Sequence, residues 1–261
     1  MSVRPFPVAC GAALALVVAF LALPVIAVFT DAPPRDLISA LGDDAALDAL
    51  RLSFECSAIA LAIILVVGTP AAWLLATRRF PGREVVVTVV ELPLVMPPAV
   101  AGIGLLAALG PNGILGGVTD RHLVLQTAGV VVALTFVSAP FYLRLAQAGF
   151  AAIDPALLEA SRTLGAGEAR TFARVAIPSA SAALGAGAAL AWGRALGEFG
   201  ATLMFAGSFR GVTQTAPLAI YERFSSNFDD ALALSAVLVA VSAAILLTAK
   251  LVGGWDAADR R

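Results

Sequence analysis

The chain has 261 residues, 60% of them hydrophobic and only 13% charged, with a formal net charge of −1. Soluble domains run at roughly 45–50% apolar and ~25% charged, so a water-facing globule is excluded and lipid is the expected solvent. The charge balance gives no footprint for nucleic acid, and Cys10 and Cys56 lack metal-type spacing and read as small hydrophobes.

A helix needs about 20 apolar residues to cross ~30 Å of hydrocarbon. Six segments qualify: 8–30, 54–76, 85–109, 122–145, 179–206 and 231–252. The first follows Arg4, so a cleaved signal peptide competes. Its length and the lack of a clean small-x-small site favour a retained span. Residues 31–52 read as an acidic, proline-containing loop. The second span closes with Thr77-Arg78-Arg79-Phe80-Pro81-Gly82-Arg83, a tight basic turn that pairs it antiparallel with the third.

The third span is irregular, with Glu91, Pro93, Pro97 and Pro98 inside it. Prolines remove backbone donors and break or kink helices. In lipid such a break survives only where neighbours or a water-lined cavity satisfy the freed carbonyls. Residues 110–121 read as a turn-rich loop, and His122, at a span end, as structural. The fifth span is rich in Ala and Gly and carries Arg194 and Glu198, and a polar loop at 207–230 leads to the sixth. The chain reads as a single all-α, polytopic transmembrane domain.

Six spans put both termini on one side. That side holds eleven of the 17 Lys and Arg residues, the opposite side five, with Arg194 inside a span. The positive-inside rule therefore places the termini, the basic turn and the loop 154–178 in the cytoplasm.

Intramembrane charges are functional candidates by default. Arg194 and Glu198 stand four apart and share a helix face. They read either as the lining of an anion route or as a structural ion pair. Glu91, near Arg83 and Arg144 in this topology, reads as an interfacial charge. Gly197 and Gly200 flank Glu198 and allow close packing or bending. No nucleotide-binding Gly-rich loop with Lys, nucleophilic triad or metal cluster is present. Energy for any transport must therefore come from another chain.

The loop 154–178 reads as two short helices. Asp154-Pro155 signals the start of the first, Gly165 ends it, and Gly167 to Ala176 forms the second. Glu159-Ala160-Ser161, Gly165 and Val175-Ala176-Ile177-Pro178 stand at the spacings of the EAA loop of ABC importer permeases, which this segment resembles. It departs from that pattern by Ser161 for Ala, Val175 for Ile and Ile177 for Leu. The segment from Arg194 to Gly207, then Thr213 to Tyr221, resembles the molybdate branch of the oxyanion permeases, as do residues 92–102 and 110–116.

The resemblance covers about residues 50–250 and implies the type I importer permease architecture. It also implies that Glu159, Ala160, Ser161, Gly165 and Pro178 couple the chain to a cytoplasmic ATPase. Arg194, Gly197, Glu198 and Gly200, with Pro97 and Pro98, become candidates for a translocation path or gate. The implied assembly is a homodimer in the inner membrane with two ATP-binding subunits and an external molybdate-binding protein. Such a chain binds no cofactor or metal itself, because ATP and Mg belong to the partner. Tungstate is equivalent to molybdate on these residues. Sulfate or thiosulfate, and a non-transporting membrane scaffold, are the alternatives.

Overall fold

The computed structural model describes residues 5–31, 42–116 and 123–258, so His122 lies outside it. All regular structure among these residues is helical. Helix α1 spans Pro5–Thr30, α2 Asp44–Thr77, α3 Arg83–Val95, α4 Pro98–Leu109 and α5 Thr127–Ala151. A projecting pair follows: α6, Pro155–Thr163, and α7, Glu168–Ser179, which contains a π-helical stretch at Phe172–Ala176. Helix α8 spans Ser181–Leu196, α9 Gly200–Ala206, α10 Ala216–Phe224 and α11 Phe228–Ala258.

Three of the described helices are individually long and apolar enough to cross a membrane: Phe6–Thr30, Asp44–Thr77 and Thr127–Ala151. Helices α7 and α8 would form a fourth such unit, bent by 74°. The third and fifth apolar segments are each divided into two helices. In the third, Met96 and Pro97 are extended, with ψ of 130° and 135°. Each precedes a proline, whose ring excludes the helical region for its predecessor. Pro98 then opens α4, where its missing N–H costs nothing. In the fifth, α8 stops at Leu196 and the chain runs through Gly197, Glu198 and Phe199 before α9 begins.

These two breaks pack on each other. Helix α9 lies along α4, and a Cβ on Gly200 would stand 2.8 Å from the Pro98 Cβ. On Gly102 it would stand 2.7 Å from the Ala201 carbonyl oxygen. The backbones are closer than any side chain allows.

Helix α5 runs between α2 and α8. Its Tyr142 is 1% exposed and fits because Gly68 of α2 and Gly187 of α8 leave room for the ring. The Tyr142 hydroxyl and Thr69 Oγ1 share a hydrogen bond of 2.6 Å. Trp192 of α8 donates Nε1 to Ser57 Oγ of α2 at 2.9 Å. By contrast α3 buries no residue, and the apolar stretch of α1 is 0% buried. Apolar surface of that extent needs lipid or another subunit to cover it.

Two segments expected to be loops are partly helical. Residues 44–52 extend α2 beyond its apolar run. Asp43 Oδ1 accepts the Ala45 N–H at 3.0 Å, and its other oxygen pairs with Arg223. The Ala45 N–H, with Arg223, holds the Asp43 carboxyl below its usual range against some burial. Within 207–230, α10 starts where the Ala216 N–H finds Ser53 Oγ at 2.7 Å. Hydropathy reports lipid contact, whereas caps such as Asp43 set helix ends in water.

Gly102→Val should cost about 1–3 kcal/mol, because overpacked cores must shift backbone. Thermal unfolding of the purified chain reads this as a lower midpoint. Gly104→Val, where an added Cβ meets nothing within 4 Å, should leave it unchanged.

Candidate functional site

The projecting pair is built from its caps outward. Asp154 Oδ1 accepts the Ala156 N–H at 2.9 Å and Pro155 fills the first turn, fixing the start of α6. Gly165 ends it in the left-handed region, at φ +78°. Its N–H reaches the Arg162 carbonyl at 2.9 Å, and the Ala166 N–H reaches that of Ser161 at 3.1 Å. A Cβ at Gly165 would meet nothing within 4 Å. The requirement for glycine there is therefore one of backbone conformation alone.

Ser161 closes the pair: its hydroxyl and that of Thr171 in α7 lie 2.9 Å apart. An alanine there could not make this bond. Glu159 and Ala160 are exposed beside it, with Leu157 at 50% and Leu164 at 87% exposure. Pro178 is exposed at the foot of α7. An aromatic cluster anchors α7 along its length: Trp73 of α2 lies 5.3 Å from Phe150 of α5 and 5.7 Å from Phe172 of α7. Arg78, just beyond α2, pairs with Glu168. The projection is thus fastened at its base and apolar at its tip.

The second cluster sits at the break in the fifth segment. Arg194 Nη1 stands 2.6 Å from Glu198 Oε2. Glu198 is 1% exposed, and its Oε1 accepts the Ala201 N–H at 2.6 Å. The pair therefore spans the break instead of lying within one helix, and the carboxylate caps α9. Pro98 and Gly200 meet at the packed break, with Pro97 next in the chain and Gly197 exposed. The structure brings Arg194, Glu198, Gly200 and Pro98 into one neighbourhood. Glu159, Ala160, Ser161 and Gly165 form the other, at the far end of α7.

Glu91 does pair with Arg144, at 3.4 Å and partly exposed. Arg83 turns instead to Glu84 and to the Leu75 carbonyl. A further polar group, part of the Thr213–Tyr221 segment that carries the molybdate resemblance, had no structural role assigned from sequence. Thr213, Gln214 and Thr215 are buried between α9 and α10. Thr213 Oγ1 accepts the Phe209 N–H at 2.9 Å, and Gln214 donates to Glu222. Gln214 lines a cleft of about 270 Å³ with Arg210, Glu222 and Arg223. Three consecutive polar residues ahead of Pro217 were the available signal.

Residues 65–255 match the family described as the binding-protein-dependent transport system inner membrane component. The chain belongs to this family. Among curated relatives, the molybdenum transport permease ModB of Mycobacterium tuberculosis is 38% identical over 236 residues, 88% of each chain. The sulfate transport permease CysW of Synechocystis is 34% identical over 244 residues, 91% of this chain and 88% of its own. The same fold is found in a bacterial ABC transporter that imports alginate, at TM-score 0.75 and 18% identity. That match covers 93% of this chain and 92% of the other. This permease is an all-helical, integral inner-membrane transport subunit.

Removing one partner of a buried ion pair strands the other, at about 3–5 kcal/mol. Arg194→Met should therefore lower the unfolding midpoint of the purified permease strongly, with Glu198 left buried and uncompensated. Adding Glu198→Gln to it should recover most of the loss, since the amide oxygen can still cap α9.

Proposed function

We propose that this permease carries molybdate, or tungstate of the same shape and charge, across the inner membrane as part of an ABC importer. Two copies form the membrane unit. Two separate ATP-hydrolysing subunits dock on the projections formed by α6 and α7, and an external molybdate-binding protein delivers the anion on the opposite face. The chain holds no ATPase site of its own. Both termini and the projection face the cytoplasm, as the excess of arginine and lysine on that side supports.

One observation carries the coupling role: the exposed Glu159-Ala160 face and Leu164 tip stand on a base locked by Trp73, Phe150 and Phe172. A partner gripping the tip moves the base, because the two are joined by capped helices and the Ser161–Thr171 bond. Molybdate is favoured by the residues from Arg194 to Gly207 and from Thr213 to Tyr221, and by the 38% identity to ModB. Sulfate is the second reading, because CysW aligns over 91% of the chain. Arg194, Glu198 and the break at Pro97-Pro98 line or gate the route.

Uptake into proteoliposomes, with the neighbouring ATPase and binding protein present, tests the assignment. ATP-dependent molybdate uptake that equimolar sulfate leaves untouched is the expected outcome. Competition by sulfate at equal concentration would move the assignment to the second reading.

Gly165→Leu should lower substrate-stimulated ATP hydrolysis and uptake together. The left-handed residue costs about 1–2 kcal/mol once it carries a side chain, which reshapes the tip without touching the core. Unchanged stimulation in this variant would remove the coupling role from the projection.

A further inference from the structure

The turn joining α2 to α3 carries three arginines, at 78, 79 and 83. Its backbone is fixed. The Arg83 N–H donates to the Phe80 carbonyl at 3.2 Å, Pro81 follows Phe80, and Gly82 takes φ +81°. That is a type II turn with proline and glycine in their preferred places.

The arginines differ in how far they are engaged. Arg83 is pinned to the Leu75 carbonyl by Nε at 3.0 Å and Nη2 at 2.8 Å, and its Nη1 meets Glu84 at 2.7 Å. Arg78 pairs with Glu168. Arg79 has no ion-pair or hydrogen-bond partner among the described residues. Glu84 and Glu168 are 85% and 74% exposed. Ion pairs that open to water are weak, so Arg78 and Arg83 keep positive potential available to a further anion beside them.

The three arginines surround a cleft of about 540 Å³, walled also by Phe80, Val85 and Glu84, the last offset by its pairing with Arg83. An apolar strip leaves this cleft along α3. Val85, Val89 and Leu92, at i, i+4 and i+7, share one face of the helix and are 66%, 58% and 47% exposed. No residue of α3 is buried. A basic cleft that continues into a bare apolar strip matches a molecule with an anionic head and a hydrocarbon tail.

We propose that the α2–α3 turn binds the phosphate headgroup of an anionic phospholipid, with an acyl chain laid along α3. The guanidinium fork of Arg79 matches phosphate oxygens two at a time. Basic residues at a membrane surface attract anionic lipid individually. Free phosphate shares the headgroup chemistry but has no use for the strip, so charge and hydrocarbon together favour the lipid. The site sits beside the Arg78–Glu168 bridge, and its occupant would bear on the base of the projection.

Native mass spectrometry of the full-length permease, purified with its partner subunits, tests this with phosphatidylglycerol and phosphatidylcholine as probes. The wild-type chain should retain phosphatidylglycerol in preference. Arg79→Gln should weaken that retention about fivefold, in line with the contribution of one basic residue at a membrane surface. Arg51→Gln, at the opposite end of α2, should not change it. Equal retention of both lipids by the wild type, or undiminished preference in Arg79→Gln, would overturn the proposal. So would inorganic phosphate that displaces phosphatidylglycerol and protects the chain from thermal unfolding as well as the lipid does. Should Arg79→Gln fail to fold, thermal shift of the wild type by each lipid decides between the same outcomes. None of these readouts depends on which oxyanion is carried.

Discussion

A carboxylate buried to 1% exposure is costly unless it is paired, and the way Glu198 is held shapes its surroundings. One oxygen faces the Arg194 guanidinium and the other takes the Ala201 N–H. Both requirements are met only if the helix ends after Leu196 and a new one begins near Gly200. The break is therefore the geometry that lets an ion pair and a helix cap use the same side chain. The breaks in the third and fifth segments are matched: the proline pair at 97 and 98 bares a surface flat enough for Gly200, and Gly102 admits Ala201. Neither break would be tolerable in lipid alone, because each leaves backbone groups without partners unless protein or water supplies them.

The projection and the break are connected by a single element. Helix α8 has 16 residues, about 24 Å at 1.5 Å per residue. At one end it meets α7 across a bend of 74°. At the other it carries Arg194 one turn before the break. Tyr142, lodged between Gly68 and Gly187, gives α8 a close-packed bearing on α5 and α2. A tilt of α7 would therefore reach the Arg194–Glu198 pair as movement of a stiff rod. A ligand at the α2–α3 turn would act on this linkage at the opposite end of α7, through Arg78 and Glu168.

How much of this was written in the residues varied with the kind of force involved. Three of the expected apolar segments return as single helices long and apolar enough to cross a membrane, because lipid selects composition over some 20 residues. The break at Pro97-Pro98 was legible because proline restricts its predecessor whatever the tertiary context. Gly165 was legible for a similar reason, as was the Arg194–Glu198 pairing from its spacing. The second break was not, since Gly197-Glu198-Phe199 interrupts an apolar run without a proline, and what stops the helix there is a tertiary partner. Helix α10 was hidden by its polar composition, and its start depends on Ser53, 163 residues away. The π-helical stretch at Phe172–Ala176 has no local signature, and it lies where Phe172 turns towards Trp73.

That last contact gives the molecule a built-in optical handle. The chain has three tryptophans, and two of them sit in defined and different places. Trp192 is tied to Ser57 in the packed interior, whereas Trp73 stands edge-on to Phe150 at the joint from which the projection springs. An indole's emission follows the rings and water around it. Light from Trp73 would change as the joint flexes, while Trp192 supplies a steady background. The position of the projection could thus be followed in the membrane without attaching any dye.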